Sequence, residues 1–188
     1  MAKLEENFLE KCTHKDYPAK GVSFIDIFPI LREYYPRDFE NKFGGSFEDS
    51  IVFIPEARGF LFYGHINPKL SVSLRKPNKL PGELYTFSYQ KEYGEDALCF
   101  SLQHFKQAIN CYLQAHKCEN RVIPITFFDD ILATGGTTKA FISYIESIKV
   151  EGYSFKVRDC KFYIILNDLC GKDVLRSLNI PTSSVYEI

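Results

Sequence analysis

Apolar residues are distributed along this chain in two styles: short unbroken runs, and longer stretches where they return every three or four positions. The runs IVFIP (51–55), LSVSL (70–74), RVIPITFF (121–128) and CKFYIIL (160–166) are β-branched or aromatic and bounded by turn residues. That pattern predicts buried strands. Between 137 and 149, Ala140, Phe141, Tyr144, Ile145 and Ile148 recur at helical spacing and give one apolar face. Phe105, Ala108, Ile109, Tyr112 and Leu113 do the same within 101–120. Buried strands alternating with helices imply an α/β fold. Its sheet is expected to be mostly parallel and twisted, flanked by helices, with right-handed crossovers and ligands at the C-terminal strand ends. No repeat, low-complexity tract or heptad interrupts this order, so residues 1–188 are expected to form a single domain.

Composition removes several function classes. Hydrophobic residues are 45% and charged residues 25% of the chain, an ordinary globular balance. The formal net charge is -1 and no long run of Lys or Arg occurs, so no nucleic-acid partner is expected. The opening MAKLEENFLEKC carries acidic residues where a secretory signal would be apolar, and nothing approaches the ~20 apolar residues of a membrane span. A cytoplasmic protein with no membrane partner is expected. Six cysteines (Cys12, Cys99, Cys111, Cys118, Cys160, Cys170) stand without CxxC pairs and read as reduced thiols. Cys111, His116 and Cys118 lack the second pair that a zinc site of about four ligands requires.

The chemistry concentrates in FFDDILATGGTTKA (127–140), at the predicted end of a strand. Gly135 and Gly136 let the backbone approach a ligand. The helix that follows starts with unpaired N–H groups and the positive end of its dipole, which favour phosphate. Thr134, Thr137 and Thr138 add hydroxyl donors. Asp129 and Asp130 repel a phosphate, but can accept hydrogen bonds from vicinal sugar hydroxyls or from water on Mg²⁺. A ribose phosphate is the natural ligand. No Walker A or dinucleotide glycine pattern is present. The alternative is that the acids only end a strand and cap a helix.

Apolar residues, paired acids, and then Thr-Gly-Gly-Thr resemble the signature of type I phosphoribosyltransferases, which bind phosphoribosyl pyrophosphate (PRPP). Within that group the chain resembles the adenine phosphoribosyltransferases over most of its length. DYPAKGVSFIDIFPIL (16–31) is similar to their base-binding segment and IPEARGFLF (54–62) to their pyrophosphate loop. LRKPNKLPGELYTFSYQKEYG (74–94) is similar to their mobile catalytic loop, DDILATGGTTKA to their PRPP loop, and LNDLCGKDVL (166–175) to a C-terminal segment. The resemblance implies a type I fold with a small N-terminal hood (about 1–35) and a mobile loop (about 76–98). It also implies Mg²⁺ dependence, a homodimer, and conversion of adenine and PRPP to AMP and pyrophosphate.

It further assigns roles. Asp129, Asp130, Ala133, Thr134, Gly135, Gly136 and Thr137 would hold PRPP. Mg²⁺ would be carried by PRPP, with no direct protein ligand, and the two acids would meet it through water. Arg58, Arg75 and Lys79 would stabilise the charge of departing pyrophosphate, although a basic turn in solvent gives the same composition for the latter two. Glu92 would be the general acid/base facing the purine, and Tyr93 would help seat the closed loop. Backbone groups of Val22, Ser23 and Ile25 would read the adenine edge, with Phe24 stacking on one side and Leu166 closing the other. From the residues alone, Phe24 and Val22 also read as core. Departures from the family are Ala57 after the loop acid, Ile25 at a usual arginine, Asn78 at a common glycine, and Ile165 at a usual glutamate. The stretch 32–50 is shorter than in the family, and 101–120 holds an insertion expected to cover the core left bare there. Two other functions share the PRPP loop: transfer to hypoxanthine, guanine or xanthine, and PRPP-binding regulation without catalysis.

Overall fold

The computed structural model describes residues 4–17, 20, 23–91 and 94–188. The chain opens with α1 (Glu6–Cys12), β1 (Thr13–Lys15), β2 (Ser23–Ile25), α2 (Ile27–Tyr34) and α3 (Arg37–Phe43). The sheet strand β3 (Ile51–Pro55) leads through a 3-10 turn, Arg58–His65, to β4 (Ser71–Leu74). A hairpin of β5 (Leu84–Lys91) and β6 (Gly94–Ser101) precedes α4 (Leu102–Ala115). Then follow β7 (Val122–Leu132), α5 (Gly136–Ser147), β8 (Lys149–Val150), β9 (Tyr153–Ile165), α6 (Gly171–Ser177) and β10 (Thr182–Glu187).

The strand order β10-β9-β7-β3-β4 is parallel throughout, with β8 added antiparallel to β9. Alternation along each strand sorts side chains to two faces. Ile51, Phe53, Ile123, Ile125 and Phe127 face a core shared with α4, α5 and the hairpin. Val52, Ile54, Phe128 and Tyr163 face a second core with α2, α3 and Phe62 of the 3-10 turn. The sheet is thus covered on both sides, as parallel sheets require.

All four predicted strands and both predicted helices are present, with two strands longer than their apolar runs. β7 continues through Asp129 and Asp130, and β9 begins seven residues before Cys160. The polar start of β9 is accommodated because Asp159 accepts from Thr126 Oγ1 at 2.6 Å, and Thr126 in turn lies 2.7 Å from Ser50 Oγ.

Helix α4, which holds the stretch expected to be an insertion, is capped by Ser101, whose hydroxyl accepts from the His104 N–H. It buries Phe105, Ala108, Ile109 and Tyr112 in the core shared with α5. The 32–50 stretch places Phe39, Phe43 and Phe47 in the opposite core. The expectation that α4 fills the space left by 32–50 is therefore corrected: α4 does cover core, but on the other face of the sheet, because Ile51 and Val52 point opposite ways.

Residues 76–98 are built largely as hairpin. Phe87, Tyr89 and Leu98 lie inside the first core, and Arg75 and Cys99 exchange backbone hydrogen bonds at its root. α1, β1 and β2 form a small unit at the N-terminus, with β1 antiparallel to β2.

Candidate active site

The ends of β3, β4 and β7 bring three separated segments together. β7 carries Asp129 and Asp130 to its C-terminal end, and Ala133–Thr134 then turn into α5. Gly135, at φ 79°, occupies the left-handed region that favours glycine, and Gly136 opens the helix. A Cβ on Gly135 would come within 3.1 Å of Gly171 Cα. Thr134 is exposed, Thr137 is half-buried, and Thr138 turns into the protein at 3% exposure. Of the predicted hydroxyl donors, Thr138 is thus the one the fold withdraws. Asp129 Oδ1 accepts the Asp130 backbone N–H at 2.8 Å. Burial and the adjacent Asp130 carboxylate push the Asp129 carboxyl well above its ordinary range.

Arg58 begins the 3-10 turn after β3 and reaches three partners. Its Nε lies 2.7 Å from Asp130 Oδ2, Nη1 donates to the Ile25 carbonyl at 3.3 Å, and Cζ sits over the Phe24 ring at 5.5 Å. Asp130 Oδ2 is buried and lies off the N–H axes, so the contact is an ion pair without a hydrogen bond. Gly59 permits the turn to pack here, since a Cβ would stand 3.0 Å from Ile54 and 3.4 Å from Asp129 Oδ1. Phe24 is half-buried, with Tyr17 edge-on at 5.3 Å. Ser23 is exposed and Ile25 is buried.

A residue the sequence analysis did not single out organises the cations. Glu56 accepts from Arg75 Nε and from the Lys76 N–H at 2.9 Å, and Lys79 Nζ is 3.1 Å away. Burial alone would raise its carboxyl; these donors more than offset that and hold it below the ordinary value. Arg75 also lies over Phe60 at 5.6 Å, which joins this group to the Arg58 turn. The one available signal was Glu56's place beside Arg58 in the loop motif.

Leu166 is half-buried, and its N–H donates to the Leu132 carbonyl at 3.0 Å, which fixes it beside the start of the Ala133–Thr137 turn. Ile165, by contrast, is fully buried in the first core. Val22, Glu92 and Tyr93 lie outside the described residues. Among those described, no helix is long and apolar enough to cross a membrane.

No family model matches the chain. It is 34% identical over 197 aligned residues to the adenine phosphoribosyltransferase of Colwellia psychrerythraea, covering 100% of this chain and 98% of the relative. The adenine phosphoribosyltransferase structure from Thermoanaerobacter pseudethanolicus superposes with a TM-score of 0.68 at 28% identity, covering 96% and 99% of the two chains. The Saccharomyces cerevisiae enzyme, crystallised with adenine and an imino-altritol bisphosphate, matches with a TM-score of 0.64 at 26% identity over 94% and 96%. Full-length identity at this level, on a sheet that carries paired acids into a glycine turn beside an arginine and an aromatic ring, means that the chain belongs to the adenine phosphoribosyltransferase family.

Proposed function

We propose that the residues at the ends of β3, β4 and β7 carry out phosphoribosyl transfer from PRPP to adenine, a purine salvage reaction that yields AMP and pyrophosphate. The bond from the anomeric carbon to the pyrophosphate oxygen breaks, the bond from adenine N9 to that carbon forms, and adenine loses one ring proton. Arg58 carries this reading. A single guanidinium touches Phe24, on the base side, and Asp130, on the sugar side, so base and sugar subsites are adjacent.

Asp129 and Asp130 accept the ribose hydroxyls, and the Ala133–Thr137 turn holds the phosphate with backbone N–H groups. Arg58, Arg75 and Lys79 face the pyrophosphate and stabilise its growing charge. Glu92 takes the proton from adenine N7, and Tyr93 helps seat the closed loop over the base. Phe24 and Leu166 sandwich the ring, with backbone groups of Val22, Ser23 and Ile25 at its edge.

The donor set fits a hydrated Mg²⁺. Asp130 Oδ2 is a buried carboxylate oxygen without a hydrogen-bond donor, and Asp129 stands beside it; such a pair accepts from metal-bound water. Mg²⁺, when bound with PRPP, neutralises part of the diphosphate charge. A cytoplasmic homodimer completes the reading, and the exposed apolar residues Phe28, Leu61 and Tyr63 offer surface for its dimer contact. The test is a product assay with PRPP and Mg²⁺ against adenine, hypoxanthine, guanine and xanthine separately. AMP from adenine at the highest kcat/KM supports the proposal, and preference for another base would replace it.

A further inference from the structure

Three donors from one short stretch of chain converge on Glu56. Its side chain is 8% exposed, whereas those of Arg75 and Lys79 are 32% and 53% exposed. Arg75 Nε, the Lys76 N–H and Lys79 Nζ all address its two oxygens. The stretch is fixed from the other side as well: Lys76 Nζ pairs with Asp96 on β6, which also accepts from Tyr89 OH at 3.2 Å.

A buried carboxylate beside a polyanion's binding site opposes the ligand's charge, so its electrostatic effect alone is unfavourable to binding. Its benefit is geometric. Long cationic side chains on a loop lose considerable rotamer freedom when a ligand immobilises them. A carboxylate that already holds them removes that cost before the ligand arrives. We infer that Glu56 is a positioning residue for the transfer: it pre-assembles Arg75, Lys79 and the Lys76 backbone into one claw that faces the departing pyrophosphate. The inference rests on the reading of Arg75 and Lys79 as pyrophosphate cations.

The two possible roles of Glu56 predict opposite signs. If it were only a counter-charge, Glu56→Gln would add net positive charge and tighten PRPP binding. As a positioning residue, Glu56→Gln weakens PRPP–Mg²⁺ binding by roughly tenfold, the scale of one charge-assisted hydrogen bond, and leaves the KM for adenine nearly unchanged. Glu56→Asp keeps the charge but withdraws the oxygens, so it also loses PRPP affinity; a pure counter-charge would tolerate it. Lys79→Ala should cost much less in the Glu56→Gln background than in the wild type, because the pair acts as a unit.

The experiment is calorimetric PRPP–Mg²⁺ affinity and steady-state kinetics for the wild type, these three single variants and the double variant, with thermal unfolding to confirm folding. Weakened PRPP binding in both Glu56 variants, with non-additivity, supports the inference. Unchanged or tighter binding, or strict additivity, overturns it while Lys79→Ala remains impaired. An unimpaired Lys79→Ala overturns the pyrophosphate reading and this inference with it.

Discussion

Arg58 Nε stands 2.7 Å from Asp130 Oδ2 while the same guanidinium covers the Phe24 ring. Only a flat, delocalised cation serves both contacts, since an ammonium is a point charge without a stacking face. Arg58→Lys therefore retains charge and loses geometry. The expected result is a fall of roughly 10²-fold in kcat/KM for PRPP, within the range for removing one oriented donor from a developing anion. Steady-state kinetics at saturating adenine measure it. A lysine variant with wild-type kcat/KM would show that charge alone suffices at position 58.

Asp129 sets binding against stability. Its folded-state value is raised above the ordinary 3.8 by burial and by Asp130, so the neutral form is favoured in the fold. The associated stabilisation is fully present below the unfolded value and is lost as pH rises through the folded one. At neutral pH the ionised pair is a cost that Asp129→Asn removes, while the amide oxygen can still accept the Asp130 N–H. We expect a higher Tm than wild type at pH 7, a difference that shrinks toward pH 3, and weaker PRPP binding at pH 7. A Tm at pH 7 equal to or below wild type contradicts the assignment.

The legible parts of this molecule were those whose geometry is encoded locally. β3, β4, α5 and the Asp129–Thr137 turn each carry their periodicity and turn residues within a dozen positions, so the strand–turn–helix at the centre of the site could be read directly. Glu56 could not, because its partners Arg75, Lys76 and Lys79 come from beyond β4 and meet it only when the parallel sheet closes. The hairpin had a local signal, the alternation of Tyr85, Phe87 and Tyr89, but it lay within a segment matched to a mobile loop. The side of the sheet that α4 covers was illegible for a different reason. An amphipathic helix announces its apolar face and says nothing about which of two apolar sheet faces receives it.

Glu92 tests the proton transfer apart from binding. Glu92→Gln keeps the shape and most of the hydrogen-bonding capacity and cannot take up a proton. kcat should fall by roughly 10²–10⁴ while PRPP affinity is preserved. Single-turnover rates at saturating adenine and PRPP are the measurement, because slow product release would mask the loss in kcat. A wild-type single-turnover rate would remove the proton-transfer role from Glu92.

Gly171 packs from the neighbouring segment against the Ala133–Gly135 turn, which the proposed function assigns to PRPP. Its N–H donates to the Ala133 carbonyl at 3.0 Å, and a Cβ there would stand 2.3 Å from that same oxygen and 2.9 Å from Leu132 Cδ1. The first obstacle is backbone, so it cannot rotate aside: Gly171→Ala must push the Ala133–Gly135 turn out of place. The expected outcome is a loss of about tenfold or more in PRPP affinity, equivalent to roughly 1.4 kcal/mol or more, together with a lower Tm. Destabilisation by itself is controlled with Gly152→Ala. Gly152 has φ 81° in the turn between β8 and β9, and its substitution strains the backbone far from the loop. If both variants lose stability and only Gly171→Ala loses PRPP affinity, the contact with Ala133 shapes the cradle. Equal PRPP affinity in the two variants would make Gly171 a packing requirement of α6 alone.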